Sequence, residues 1–235
     1  MSKASFEIVK NDDRLFFNDG EQYVLLDTGF ITAPVAGRKN SASVNGRIGP
    51  FSVNCIPEGF LNRFINMKMD DGSGVTAVLN PMDGYNCQLK GSTLTVSDED
   101  MELSDYDCFF EFVSDHFALL DGSINNQKCR FLFDSGARMT MFGEEILASS
   151  EPVRTYREWL AMKFRYADLP VYKLNLEFPN GFKYTGEGAL VKDADYAVCA
   201  EMMGFRAILG IDIFNHYDMS IIAKGAKRGI ALHRR

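Results

Sequence analysis

Histidine, tryptophan and paired cysteine are what this 235-residue sequence has least of: three His, one Trp and five Cys. The cysteines (Cys55, Cys87, Cys108, Cys129 and Cys199) are odd in number, and none stands in a CxxC spacing. With so few histidines and no Cys/His cluster, the ligand pattern of a structural zinc site is missing, and neither a metal nor another cofactor is expected. Unpaired cysteines fit a reducing, intracellular compartment. Basic residues are outnumbered, 25 Lys+Arg against 32 Asp+Glu, for a net charge of −7. A nucleic-acid binder needs a basic face, so nucleic acid is not an expected partner. No apolar run reaches membrane-spanning length, and the opening residues carry neither an apolar secretory core nor a glycine at position 2. A cytoplasmic chain with no membrane partner is the expectation. What the sequence does have is 46% hydrophobic and 24% charged residues, a balance that supports a real core in one large domain or two small lobes.

Two stretches dominate the rest, and they are nearly the same stretch. One is Tyr23-Val24-Leu25-Leu26-Asp27-Thr28-Gly29; the other is Arg130-Phe131-Leu132-Phe133-Asp134-Ser135-Gly136-Ala137. Each is an apolar run that reads as a buried strand and stops at Asp-Ser/Thr-Gly. One such tripeptide is most often a turn, since Asp, Ser, Thr and Gly all favour turns. Two copies, each behind an apolar run, point elsewhere. A carboxylate at the end of a dry strand is costly to leave alone. A second one arriving from an equivalent place resolves the cost if the two share a proton and act as an acid/base pair on water.

The surroundings of the two stretches also repeat. Phe6-Glu7-Ile8-Val9 resembles Phe110-Glu111-Phe112-Val113, and the short strand Arg14 to Phe17 matches Phe117 to Leu120. Downstream, Thr76-Ala77-Val78-Leu79-Asn80 matches Arg206-Ala207-Ile208-Leu209-Gly210. Tyr85 and Tyr217 follow, and then come Thr93 to Val96 and Gly229 to Leu232. The chain therefore reads as an internal duplication, with an N-terminal lobe over 1–103 and a C-terminal lobe over 104–235, joined near the acidic Ser97-Asp98-Glu99-Asp100.

The halves are unequal: Asp27 to Ala77 spans 50 positions and Asp134 to Ala207 spans 73. The extra length is assigned to a short helical insertion at 155–164, where Tyr156, Trp159, Leu160 and Phe164 fit one helical face. Each half also carries a hairpin. In the first it lies around Ser43 to Ile48 or the Gly49-Pro50 turn that follows. In the second it runs from Val171 to Val191 around Asn180-Gly181, a strong two-residue turn signal. Asp212 reads as a helix cap, and Asp83 reads as its counterpart in the first half, shifted by a single position. The three histidines and Cys129 read as surface or packing residues.

Phe131-Leu132-Phe133-Asp134-Ser135-Gly136-Ala137, with the later Ala207-Ile208-Leu209-Gly210 and Ile211 to Ile221, resembles the retropepsin-like aspartic proteases. In the first half Asp27-Thr28-Gly29 is intact, but Phe30 stands in place of a small residue and Asn80 in place of glycine. Two motifs in one chain are similar to the pepsin arrangement at a smaller size. The resemblance implies an all-β, two-lobed acid-protease fold of two barrel-like lobes about a pseudo-two-fold axis. It implies Asp27 and Asp134 as the catalytic pair on a water, with Thr28, Gly29, Ser135 and Gly136 supporting the catalytic loops. Phe30, Ala137, Asn180 and Gly181 are the candidate cleft residues. The second-half hairpin is the first candidate to cover an extended peptide; the family analogy offers the first-half hairpin instead. The implied function is an aspartic endopeptidase, acting as a monomer on a peptide or protein substrate. The alternatives are an inactive module of the same fold that binds peptides or proteins, and a homodimer built on one motif.

Overall fold

The computed structural model describes residues 2–11, 14–18, 20, 22–29, 44–55, 69, 74–101, 103–146, 151–160 and 165–235. The runs of β-branched and aromatic residues noted above form strands, and one α-helix stands among the described residues. The first half contains β1 (Lys3–Asn11), β2 (Arg14–Asn18), β3 (Tyr23–Leu26), β4 (Val44–Ile48), β5 (Phe51–Cys55), β6 (Val75–Leu79), β7 (Asn86–Lys90) and β8 (Thr93–Ser97). The second contains β9 (Cys108–Glu111), β10 (Leu119–Ile124), β11 (Gln127–Phe133), β12 (Met141–Phe142), β13 (Arg154–Leu160), β14 (Arg165–Glu177), β15 (Lys183–Leu190), α1 (Ala194–Met203), β16 (Ala207–Leu209), β17 (Tyr217–Ile222) and β18 (Gly229–Arg234).

The sequence repeat has a counterpart in how the strands pair. The larger sheet has the order β4-β5-β6-β3-β2-β1-β8-β7-β17-β18-β9. Its stretch β1-β8-β7-β17-β18-β9 reads the same from either end, because β1 and β9 are the opening strands of their halves and β7-β8 and β17-β18 the closing hairpins. The two hairpins meet antiparallel through Leu89↔Met219, Gln88↔Ser220 and Cys87↔Ile221. Each also holds the other's turn. Asn86 is fully buried and accepts from the backbone N–H groups of Ala223 and Lys224, while Asp218 accepts from that of Gly91.

The smaller sheet, β10-β11-β16-β12-β15-β14-β13, closes on itself because β10 also pairs with β14, so among the described residues every strand but β13 is paired on both sides. Phe131 and Phe133 are fully buried in its core, and an aromatic cluster of Phe110, Phe178, Phe182 and Phe214 packs about them at centroid separations of 5.0–5.7 Å. These rings fix β11 against the opening strand of its half and against the 3-10 turn Ile211–Phe214.

One sequence expectation is corrected here, and one pair of alternatives is decided. The stretch assigned to a helical insertion is strand β13 over Arg154–Leu160, paired along its whole length with β14 (Tyr156↔Leu169, Glu158↔Ala167); residues 161–164 lie outside the described residues. The burial alternates with a period of two, Tyr156 and Glu158 turning inward and Arg157 outward. The helical reading rested on the apolar residues at 156, 159, 160 and 164 alone, whereas the inward face also carries the charged Glu158, 3% exposed. The hairpin of the first half turns at Gly49-Pro50, with Ile48 opposite Phe51, and Asn45-Gly46 is strand; Ser43 lies outside the described residues.

Candidate active site

The two signature strands end at equivalent places. β3 lies parallel to β6 with Leu26 opposite Leu79, and the N–H of Asp27 donates to the Leu79 carbonyl at 3.1 Å. β11 lies parallel to β16 with Phe133 opposite Leu209, and the N–H of Asp134 donates to the Leu209 carbonyl at 3.0 Å. Each aspartate is thereby the first residue past a strand that is buried on both sides. The residue after the crossing strand differs between halves, Asn80 against Gly210. A Cβ at Gly210 would meet the Met139 backbone at 2.5 Å, so no side chain fits there. Asn80 is accommodated, because its Oδ1 accepts from the Met82 N–H at 2.9 Å and caps the 3-10 turn Pro81–Asp83.

The hydroxyls bind the two loops to each other. Thr28 Oγ1 donates to the Phe133 carbonyl at 2.8 Å and accepts from the Ser135 N–H at 3.0 Å. Ser135 Oγ donates to the Leu26 carbonyl at 3.0 Å and accepts from the Thr28 N–H at 3.0 Å. This is a reciprocal clasp of four hydrogen bonds, with Thr28 3% and Ser135 0% exposed. Buried hydroxyls with both capabilities used are rigid, and removal of either leaves backbone groups without partners.

The clasp sets the carboxyl groups face to face. The side chains of Asp27 and Asp134 are hydrogen-bonded to each other, and both are partly buried. Gly29 N–H donates to Asp27 Oδ1 at 2.8 Å; Gly136 and Ala137 N–H donate to Asp134 Oδ1 at 2.8 and 3.2 Å. The glycines are required by approach across the pair. A Cβ at Gly29 would lie 2.4 Å from Asp134 Cγ, and one at Gly136 would lie 2.6 Å from Asp27 Cγ. The surrounding protein strips water from Asp134 and holds its pKa above the ordinary carboxylate range. The bond to Asp27, the Gly136 and Ala137 N–H groups and the charge of Arg14 pull the other way. Carboxyls in contact cannot both ionise readily, and they titrate as a unit, which is the general behaviour of paired aspartates sharing one proton.

Of the remaining expected residues, Ala137 is buried beside Asp134, its carbonyl accepting from the Ile211 N–H at 3.0 Å. Phe30 lies outside the described residues. Asn180 and Gly181 form the turn between β14 and β15, but not at the cleft. Ser123 pairs with both Lys128 and Glu177, which puts this end of the hairpin at the far end of β11. Six residue steps along the strand, about 20 Å, separate Lys128 from Asp134. Asn180 Nδ2 donates to the Phe109 carbonyl at 2.8 Å, tying the turn to β9. The hairpin whose strand reaches the dyad loops is β13–β14.

Three residues escape a reading of the sequence. Arg14, 6% exposed, donates from Nε to the Gly136 carbonyl at 2.9 Å and from a terminal nitrogen to Glu158 Oε1 at 2.9 Å. Glu158 Oε2 accepts from Arg138 Nε at 3.1 Å and from the Tyr156 hydroxyl at 3.0 Å. Arg138 stacks on the Tyr156 ring, 5.0 Å from its centre. The usable signal was the alternation of Tyr156, Glu158 and Leu160 on one strand face.

Asp212 is also corrected. It lies inside the turn Ile211–Phe214, whose N-cap position is Gly210, and Thr140 and the N–H groups of Asp212 and Ile213 favour the charged form of its carboxyl. Its Oδ1 is buried without a partner, and burial pushes its pKa up to about 6 from 3.8. A raised folded-state value means that stability from this group is present below about pH 4 and lost as pH rises through 6. Asp212→Asn is therefore expected to gain on the wild type by up to about 3 kcal/mol between pH 4 and pH 7. Urea denaturation at the two pH values measures it.

No protein-family model matches the chain, and no curated protein matches it. Among solved structures it is similar to a retropepsin-like aspartic protease from Rickettsia conorii, at 13% identity and a TM-score of 0.33, over 56% of this chain and 96% of that one. Among the described residues, no helix is long and apolar enough to cross a membrane.

Proposed function

We propose that the chain is an aspartic endopeptidase, with Asp27 and Asp134 as the catalytic residues and water as the nucleophile. The observation that carries this reading is the direct hydrogen bond between the two carboxyl groups at the centre of the hydroxyl clasp. In the working state the pair holds one proton. The ionised carboxylate takes a proton from a water lying against both groups, and the protonated one gives its proton to the carbonyl oxygen of the scissile peptide bond. The tetrahedral intermediate then collapses with proton transfer to the leaving nitrogen, and no covalent enzyme intermediate forms. The loops cannot relax away from the reacting atoms because the clasp and the parallel strands β6 and β16 hold them from behind.

Each lobe of one chain, 1–103 and 104–235, supplies one carboxylate, so a monomer suffices. The substrate is a peptide or protein segment in extended form, hydrogen-bonded through its backbone beside the β13–β14 hairpin. Cleavage of a mixed peptide library between about pH 3 and pH 7, with and without a statine-type mimic of the tetrahedral intermediate, tests the reading. Cleavage with a bell-shaped pH dependence and blockage by the mimic is the expected result. No cleavage by folded protein at any pH, with peptides still bound, would replace it by the reading of a peptide-binding module.

A further inference from the structure

The Arg14–Glu158–Arg138 group is buried, charged and outside the proposed reaction, and it is costly. Ionised side chains are seldom dehydrated unless each is matched. Here one carboxylate is shared between two guanidinium groups, since Glu158 accepts from Arg14, Arg138 and the neutral Tyr156 hydroxyl. The three ionised side chains sum to +1. The carboxyls of the dyad lie beside this group, and Arg14 acts electrostatically on Asp134. A dyad holding one proton carries −1, and the charge of Arg14 favours that ionised form.

The same side chain is also a mechanical link. Arg14 belongs to β2 of the first half, Gly136 to the loop of the second-half aspartate, and Glu158 to β13. One guanidinium joins all three, through the Gly136 carbonyl and Glu158 Oε1, each at 2.9 Å. The Gly136 N–H is at the same time the donor to Asp134 Oδ1, so Arg14 holds the peptide plane that follows Gly136 while Asp134 holds the one before it. Arg138, two residues after Gly136, meets the same Glu158 from the loop side and donates to the Arg157 carbonyl at 3.0 Å.

We propose that Arg14 is a positioning residue for the Asp134 loop and the built-in counter-charge of the singly protonated dyad, with Glu158 setting how much of that charge the dyad feels. This rests on the reading of Asp27 and Asp134 as a proton-sharing pair. It adds a residue from the opposite half that biases the pair toward holding one proton and couples it to the β13–β14 hairpin.

The sign of the effect separates this role from a structural one. Loss of Arg14's charge makes ionisation of the pair harder; loss of Glu158's charge leaves Arg14 less neutralised and makes it easier. Carbon-13 NMR titration of the aspartate carboxyls, in protein labelled at aspartate, reads this without requiring peptidase activity. Arg14→Met is expected to raise the first ionisation of the pair by about one unit, and Glu158→Gln to lower it by a smaller amount. The double variant Arg14→Met/Glu158→Gln is expected to titrate between the two single variants. Arg14→Lys keeps the charge and is expected to stay within a few tenths of a unit of wild type. If one single variant fails to fold, the other still decides against Arg14→Lys: no shift from the lysine variant, or a shift of the wrong sign, would overturn the counter-charge role. Shifts of the same sign in Arg14→Met and Glu158→Gln, or none in either, overturn it as well. Shifts of the expected signs in a protein that cleaves no peptide would sustain this inference and remove the proposed function instead.

Discussion

Asp27→Asn and Asp134→Asn, each made singly, are expected to reduce peptide cleavage by at least about 10³-fold while leaving the protein folded. An amide cannot accept a proton from water or pass one to the carbonyl, so either change removes half of a two-group relay. The fold survives because the clasp uses Thr28, Ser135 and the strand carbonyls of Leu26 and Phe133, none of which is altered. The Gly136 N–H keeps an acceptor too, since an asparagine Oδ1 stands where Asp134 Oδ1 stood. Stability should hold or rise at neutral pH, because the surroundings already disfavour ionisation of Asp134 and the variant carries no such charge. Steady-state cleavage and a thermal melt of both variants provide the check. Loss of activity in one variant alone would mean that the second carboxylate comes from another copy of the chain.

Gly29→Ala and Gly136→Ala form the second large-effect pair. Their added methyls would lie 2.4 Å from Asp134 Cγ and 2.6 Å from Asp27 Cγ, against an ordinary contact of about 3.5–4.0 Å between carbons. The opposing carboxyl must retreat by about 1 Å, and the clasp leaves the loops nowhere to go. A displacement of that size at reacting groups costs about 10²-fold in kcat, and overpacking a rigid site costs about 1–3 kcal/mol of stability. The damage is reciprocal: Gly29→Ala displaces Asp134 and Gly136→Ala displaces Asp27. The aspartate NMR titration should show the perturbation on the aspartate of the opposite half. A methyl tolerated at both positions with full activity would refute the close approach.

Much of the site was legible because its chemistry is local. Asp27-Thr28-Gly29 and Asp134-Ser135-Gly136 each contain a carboxylate, a hydroxyl and a gap in three adjacent residues, and the apolar run ahead of each announces a buried strand. The repeat was legible for a related reason: strand pairing within each half joins segments close in sequence, so the order of elements survives as a pattern of apolar runs. Asn180-Gly181 was equally legible as a turn, since turn geometry depends on two residues. Its place was not, because the aromatic packing of Phe178 and Phe182 against Phe110 decides where the turn lies.

The sequence by itself determined the all-β character, the two equivalent strand ends and the residues that face each other across them. Those properties depend on periodicity and on side-chain chemistry within a few positions. The tertiary structure alone decided that Thr155 to Leu160 is strand, that Glu158 turns inward, and that Arg14 reaches a loop 122 positions away. A charged residue reads as surface until its partner is known, and the partners here come from β2, β13 and the Asp134 loop. Burial of a charge is settled by the sum of desolvation and pairing over groups that only the folded chain brings together.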